Sequence, residues 1–410
     1  MTTQPVPEAP QKITSSMVLL LAFGAGLTVA GLYYNQPILA VMARDLHASA
    51  RAVGYVPMLT QLGYAVGIVL FAPLGDKLDR RRVILCKCAA LCGSLLLAAV
   101  APNIQVLCAA SLAIGIFATA AQDFVPAAAT LAPIHARGKI VGSVMTGLLL
   151  GILLSRLVSG FTADRFGWRS IFFVATLSIV GLAFVSAVRL PPFEPTTKSS
   201  YFSLLKSMLQ LVRDLPELRV ASLAQAFLCI SFSAFWSTLA LALAAPPYKA
   251  SSAVAGAFGL AGAAGALMAP IAGSIADQRG PRAVIRFGAA LVVASFLMMG
   301  LFQGSMLVLI LGAVLFDLGT QASLISHQTI IYGLDPNARS RVNAVLVATM
   351  FLGMSAGAAL GSIALATRGW LGVCELGAAG AGLSLLVRAM FEMKTKPFAN
   401  SRSKRAPPSA

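Results

Sequence analysis

The sequence predicts an all-α integral membrane protein of twelve transmembrane helices, arranged as two six-helix bundles related by an internal repeat. Three observations predict it. Of 410 residues, 58% are hydrophobic and 11% charged, with a mean hydropathy of +0.83, whereas a soluble domain carries about 25% charged residues. Apolar runs of about 20 residues, the length that crossing a bilayer requires, recur along the chain. Landmarks of the first half return in the second at a nearly constant offset.

Residues 1–15 form a cytoplasmic tail. Their "MTTQPVPEAPQK" is polar and proline-containing, without the basic n-region or cleavage site of a signal peptide, so the first helix is retained. The first bundle, 16–190, holds spans at about 16–41, 52–73, 83–101, 105–130, 140–162 and 170–190. Residues 191–217 are a cytoplasmic linker, proline- and serine-rich at its front. Its rear, "FSLLKSMLQLV", has the apolar spacing of a helix lying along the membrane surface. The second bundle, 218–391, holds spans at about 218–245, 252–275, 284–302, 305–328, 343–366 and 371–391. The longest spans tilt or protrude at their ends. Residues 392–410 form a basic cytoplasmic tail suited to anionic lipid.

A net charge of +17 invites a nucleic-acid partner, and the distribution rejects one. Under this topology the cytoplasmic segments carry 24 Lys and Arg and the external loops 6 (Arg44, Arg51, Arg165, Arg169, Lys249 and Arg368). That asymmetry is the positive-inside rule, and it predicts an inner (plasma) membrane protein with both termini cytoplasmic. Only Arg156 falls in neither group. The six cysteines lie in apolar helices, with no His or acidic partner near "CKCAALC", and read as buried structural thiols, not as metal ligands.

The two halves match. "LGDKLDRRRVI" corresponds to "IADQRGPRAVI", placing Asp76 and Asp277 201 residues apart. "ARGKIVG" corresponds to "ARSRVNA" at an offset of 202, which also carries Gly151 onto Gly353 and Gly167-Trp168 onto Gly369-Trp370. Landmarks sharing one offset across two six-span halves mark a duplication with both copies in the same orientation.

On these motifs the chain resembles the major facilitator superfamily of secondary transporters over essentially its whole length. The family signature G-x-L-A-D-R-x-G-R-R stands here as "APLGDKLDRR" (72–81), with Asp76, Lys77, Arg80 and Arg81 in register, Ala72 for the first glycine and Asp79 for the second. The second copy, "GSIADQRGPR", keeps Gly273, Asp277, Gly280 and Arg282. The resemblance implies that Asp76, Arg80, Arg81, Asp277 and Arg282 latch one access state. A carboxylate at such a helix end can cap a neighbouring helix while nearby cations pair across the loop; the plain alternative is a solvated basic loop. The antiporter element of the fifth span keeps Gly142, Gly151 and Gly160, but Ser155-Arg156 stands for its Gly-Pro pair. The fourth span has Ser111 where family members often carry arginine. "LYYNQPIL" (32–39) and "LTQLGYAVG" (59–67) further resemble a bacterial permease branch of the family.

Ionisable residues inside spans are functional candidates by default. Asp123, Arg156 and Asp317 stand well inside, while His327 and Glu375 lie near span ends and read as interfacial. In span ten, Asp317, Thr320 and Gln321 share one helical face near the midplane, where this architecture puts its substrate. Span four offers Gln122 and Asp123, span one Asn35 and Gln36, span two Gln61 and Tyr64, and span seven Trp236, which either stacks on a solute or fills the core. For each, helix–helix packing is the competing reading. Asp123 and Arg156 differ in depth, so a direct pair between them is not favoured. Gly256, Gly259, Gly262 and Gly265 recur every third residue in span eight, as close-packed or sliding helices require.

No nucleotide-binding loop, metal cluster or nucleophile triad is present in the sequence, so the expectation is a transporter, not an enzyme, without cofactor or metal. The expected partners are a small-molecule solute, protons and the lipid bilayer, with the chain acting as a monomer. Asp317, then Asp123, are the candidate proton sites, and the expected activity is proton-coupled export of a small organic compound. The alternatives are proton-coupled uptake of an organic anion held by Arg156 and, remotely, a non-transporting receptor on the same fold.

Overall fold

The computed structural model describes residues 13–195, 197, 200–262, 274, 278, 280–335 and 338–395, without the side chains of Ala72, Asp76, Lys394 and Thr395. The described residues are helical almost throughout. The helices are α1 Ser15–Ala30, α2 Leu39–Asp45, α3 Ala50–Lys77, α4 Arg80–Ala99, α5 Ile104–Ala118, α6 Ala121–Leu131, α7 Arg137–Phe166 and α8 Arg169–Arg189. After the linker helix α9 Tyr201–Asp214 come α10 Pro216–Ala244, α11 Ser252–Ala257, α12 Pro281–Leu301, α13 Met306–Tyr332 and α14 Arg339–Thr395. Gly369, at φ 62° and ψ −154°, breaks α14 into two spans.

Helix starts follow local chemistry. The side chains of Thr14, Ser49, Asn103, Ser200 and Ser305 each accept a backbone N–H of the first turn, satisfying donors that have no partner within the helix. Asp79 does the same for α4, accepting from the Arg81 N–H at 3.0 Å.

Two spans are broken, each for a stated reason. In span one, Pro37 has no N–H to continue the helix, and a tight turn follows α1 before a short 3-10 segment at Gln36–Ile38. The Ser159 hydroxyl donates to the Tyr34 carbonyl freed there. In span four, α5 ends at Ala118, the Thr119 hydroxyl donates back to the Ile116 carbonyl at 2.7 Å, and Pro126 removes a further bond within α6.

The repeat is visible in packing. Gly151 of α7 sits against the backbone of Gly26 in α1, and its counterpart Gly353 of α14 sits against Ala226 in α10. Gly167 and Gly369 both take positive φ between paired spans, a region that favours glycine. One apolar core runs through α1–α8 and a second joins α10–α14. A third cluster packs Met208 of α9 on Leu218, Ile331 and Val342, while Phe202 and Leu209 of α9 stay exposed, as a surface-lying amphipathic helix would. Large apolar side chains such as Leu177, Phe184, Phe287 and Leu301 are exposed on the outside of the bundle, a pattern suited to lipid and not to water.

The six cysteines are unpaired, and Cys88, Cys229 and Cys374 are buried as expected. Cys86 is exposed instead: two residues along a helix turn the side chain by about 200°, so the face that buries Cys88 turns Cys86 outward.

The halves meet most closely at the end of the bundle away from the linker, called here the far end. Gly160 of α7 crosses Gly256 of α11, and Gly54 of α3 faces Ser362 of α14. Deeper down, the Ser355 hydroxyl donates to the Met58 carbonyl at 3.0 Å and the Tyr64 and Phe351 rings lie 4.3 Å apart.

Candidate functional site

Arg156 reaches the centre of the molecule and is only 2% exposed. Its Nε donates to Gln36 Oε1 at 2.8 Å, and Gln36 is presented by the break in span one. The guanidinium carbon lies 4.7 Å from the Tyr33 ring centre and 4.2 Å from that of Trp236. Desolvated contacts of this kind contribute roughly 2 kcal/mol each. They offset part of the cost of a cation in an apolar setting. The Trp236 indole N–H in turn points at Asp317 Oδ1, 3.4 Å away, and Asp317 is buried. Arg156 and Asp317 therefore sit within electrostatic reach of each other and are linked through the indole of Trp236. One charge comes from each half.

The glycines of span eight explain how both charges fit. A Cβ at Gly256 would lie 2.5 Å from the Arg156 carbonyl, at Gly259 3.1 Å from Arg156 Cβ, and at Gly262 2.8 Å from Asp317 Oδ2. Any side chain at Gly256 or Gly262 would have to displace them. Gly265 lies outside the described residues. Two buried donors stay unpartnered: Nη2 of Arg156 and Nε2 of Gln36. Unmade hydrogen bonds in a buried site cost about 1–3 kcal/mol each, which points to a role beyond packing.

Above the site, at the far end, a cavity of about 380 Å³ is lined by Pro37, Arg44, Asp164, Ala240, Lys249 and Ser252 among others. Its floor, Pro37 and Ala240, is also the roof of a constriction around Gln36, Arg156, Trp236 and Leu239 that is too narrow to admit water. The central charges are closed off from the far end.

The remaining candidates separate into two places. Near the middle, Asn35 donates to Thr60 Oγ1 at 3.1 Å, and Gln122 donates to the Tyr64 hydroxyl at 2.9 Å. Gln61 is fully buried with neither end of its amide partnered, and Gln321 is half-buried on α13. At the linker end, Asp123 Oδ2 takes the Lys87 ammonium at 2.6 Å, with Lys87 also 4.9 Å from the Phe71 ring centre. A Cβ at Gly75 would lie 2.9 Å from Asp123 Oδ1 and 3.5 Å from Arg80 Nε, so the glycine makes room for this cluster. Arg81 donates to the Ala187 carbonyl. Arg282 lies 3.7 Å from Glu217, which also takes Arg388 at 2.8 Å. Asp277 and the side chain of Asp76 lie outside the described residues.

Three expectations are corrected. The cap on α4 comes from Asp79, which also accepts from the Phe193 N–H at 2.9 Å; the residue replacing the motif's second glycine has taken that task. His327 is not interfacial: it is fully buried, with Nδ1 2.9 Å from Gln225 Oε1. Only three ionisable side chains were expected well inside spans, but Lys87 and Arg388 are also buried. Lys87 stands two turns into α4 because that helix starts at Arg80, which apolar-run counting placed in the loop. Tyr33 was missed as well, and its signal was its place beside Pro37 at the helix break.

Comparison with known proteins accords with this architecture. A model of the Major Facilitator Superfamily matches residues 21–252 and again residues 221–409. The uncharacterized transporter YgaY of Escherichia coli O157:H7 is 38% identical over 376 residues, covering 92% of this chain and 95% of its own. The multidrug resistance protein MdtG of Proteus mirabilis is 26% identical over 370 residues, covering 86% and 89%. Among solved structures, the nucleoside transporter NupG superposes with a TM-score of 0.75 at 12% identity, over 93% of this chain and all of that one.

Proposed function

We propose that this chain, which belongs to the major facilitator superfamily and is a multi-pass membrane transporter, exports a small organic solute in exchange for protons. It would act as a monomer in the inner membrane, with the linker and both termini cytoplasmic, an orientation supported by the 24-to-6 division of basic residues.

The observation that carries the reading is the pair of buried opposite charges supplied by opposite halves, Arg156 and Asp317, joined through Trp236. When two halves rock about a central site, groups contributed by different halves move relative to each other. The Asp317 carboxylate can then exchange its Trp236 contact for a proton or for solute, one at a time, which is the requirement for antiport. Arg156 stays with the first half and holds the solute's acceptor groups. Export draws support from the likeness to MdtG. Uptake of an organic anion is the second reading, supported by the unpartnered donors of Arg156 and Gln36.

Everted membrane vesicles test the direction. Solutes that raise the thermal unfolding midpoint of the purified protein are added to vesicles energised by respiration, which are acidic inside. Export by antiport predicts a solute-dependent loss of the pH gradient and accumulation of solute inside. Solute movement with no proton movement contradicts the reading.

A further inference from the structure

Given that reading of the central site, we infer that its solute is amphoteric: an acid group for Arg156 and Gln36 and a protonated amine for Asp317, as in an amino acid. The inference deepens the transport reading and rests on it for the location of the site, not for its energetics.

The acid-group end is built from donors alone. Nη2 of Arg156 and Nε2 of Gln36 are both buried, both lack a partner, and are held side by side by the 2.8 Å bond from Arg156 Nε to Gln36 Oε1. With the guanidinium faces occupied by Tyr33 and Trp236, its edge is the direction left for recognition. A guanidinium edge with a neighbouring amide N–H presents parallel donors, a match for the two oxygens of a carboxylate.

The amine end is acceptor-only. Asp317 Oδ1 faces the Trp236 N–H, and Oδ2 faces Gly262, where the missing side chain leaves space. An ionised carboxylate there accepts from a cationic donor. The indole keeps the two protein charges one ring apart, so neither neutralises the other by direct contact. A solute carrying both charges can satisfy both ends.

A purely anionic solute would bring a second negative charge beside Asp317, and a purely cationic one would leave the Arg156 and Gln36 donors unmatched. The amphoteric solute also supplies the competition that antiport needs, because a proton on Asp317 displaces the amine.

The test uses purified wild-type protein in detergent at fixed pH, with affinity read by calorimetry. The probes are L-phenylalanine, its amide (no carboxylate), its N-acetyl derivative (no amine charge) and the doubly capped N-acetyl amide. Each single cap is expected to weaken binding about tenfold or more, as loss of one buried charge-assisted contact does. The doubly capped compound should bind weakest. Arg156→Gln should bring the amide level with L-phenylalanine while the acetyl penalty stays, and Asp317→Asn should do the reverse. A variant that merely failed to fold would lose all four probes alike, and the wild-type panel then decides alone. Equal affinity for L-phenylalanine and either singly capped derivative, or no binding of L-phenylalanine at millimolar concentration, overturns the inference. No proton gradient enters this measurement, so proton coupling can fail while the amphoteric preference holds, and the reverse.

Discussion

Two buried pairs of opposite charge stand at different depths in this molecule, and they are built differently. At the linker end, Lys87 and Asp123 touch at 2.6 Å within the first half, beside Phe71 and Gly75. At the centre, Arg156 and Asp317 come from different halves, with an indole between them and two neighbouring donors unused. The first arrangement neutralises its charges at once and suits a fixed structural tie. The second leaves charge to be neutralised by something that arrives. Proximity of a cation and a carboxylate is therefore not what marks the site; incomplete satisfaction is.

That contrast can be broken by substitution. The largest stability loss is expected for Lys87→Met, which leaves Asp123 buried without its ammonium and should cost about 3 kcal/mol or more, read as a lowered thermal midpoint in detergent. Adding Asp123→Asn should restore part of it. Arg156→Met should cost less, about 2 kcal/mol, because what it loses is chiefly aromatic contact, yet it should remove solute binding. A larger loss than Lys87→Met would place Arg156 among the structural ties. Trp236→Phe keeps a ring against Arg156 and deletes the indole N–H, so a change of about 1 kcal/mol is expected, with solute affinity altered more than stability.

The smallest effect belongs to a surface tie at the far end. There Asp45 accepts from Trp168 Nε1 at 2.9 Å and from Arg169. The Trp168 hydrogen bond, and then that of Arg169, holds its carboxyl below the usual carboxylate range. A lowered folded value means the tie stabilises above the unfolded value near pH 4 and is lost as pH falls through the lowered one. Both side chains are partly exposed, so Asp45→Asn should cost roughly a few tenths of a kcal/mol. Wild type and variant should converge in acid. A difference that persists there would show that the carboxylate charge is not the cause.

Much of the fold was legible because hydropathy, basic-residue placement and repeat spacing are written along the chain. The span ends α8, Arg169–Arg189, and α10, Pro216–Ala244, fall within two residues of the apolar runs. Arg156 and Asp317 were legible too, as charges the bilayer would otherwise exclude. Their meeting through Trp236 was not, since three separate spans must pack before those atoms are neighbours. Lys87 was hidden by its own sign: beside Arg80, Arg81 and Arg82 it read as one more loop cation. Span-eight glycines read as a packing stripe, and only the packed structure shows that Gly262 clears Asp317 Oδ2.

The central claim is that Asp317 couples solute movement to protons. The most direct test reconstitutes wild type and Asp317→Asn in liposomes and compares two rates for one bound solute: accumulation driven by an imposed pH gradient, and solute exchange with no gradient. The account predicts that Asp317→Asn abolishes gradient-driven accumulation while exchange persists at a reduced rate. Gradient-driven accumulation equal to wild type would contradict it.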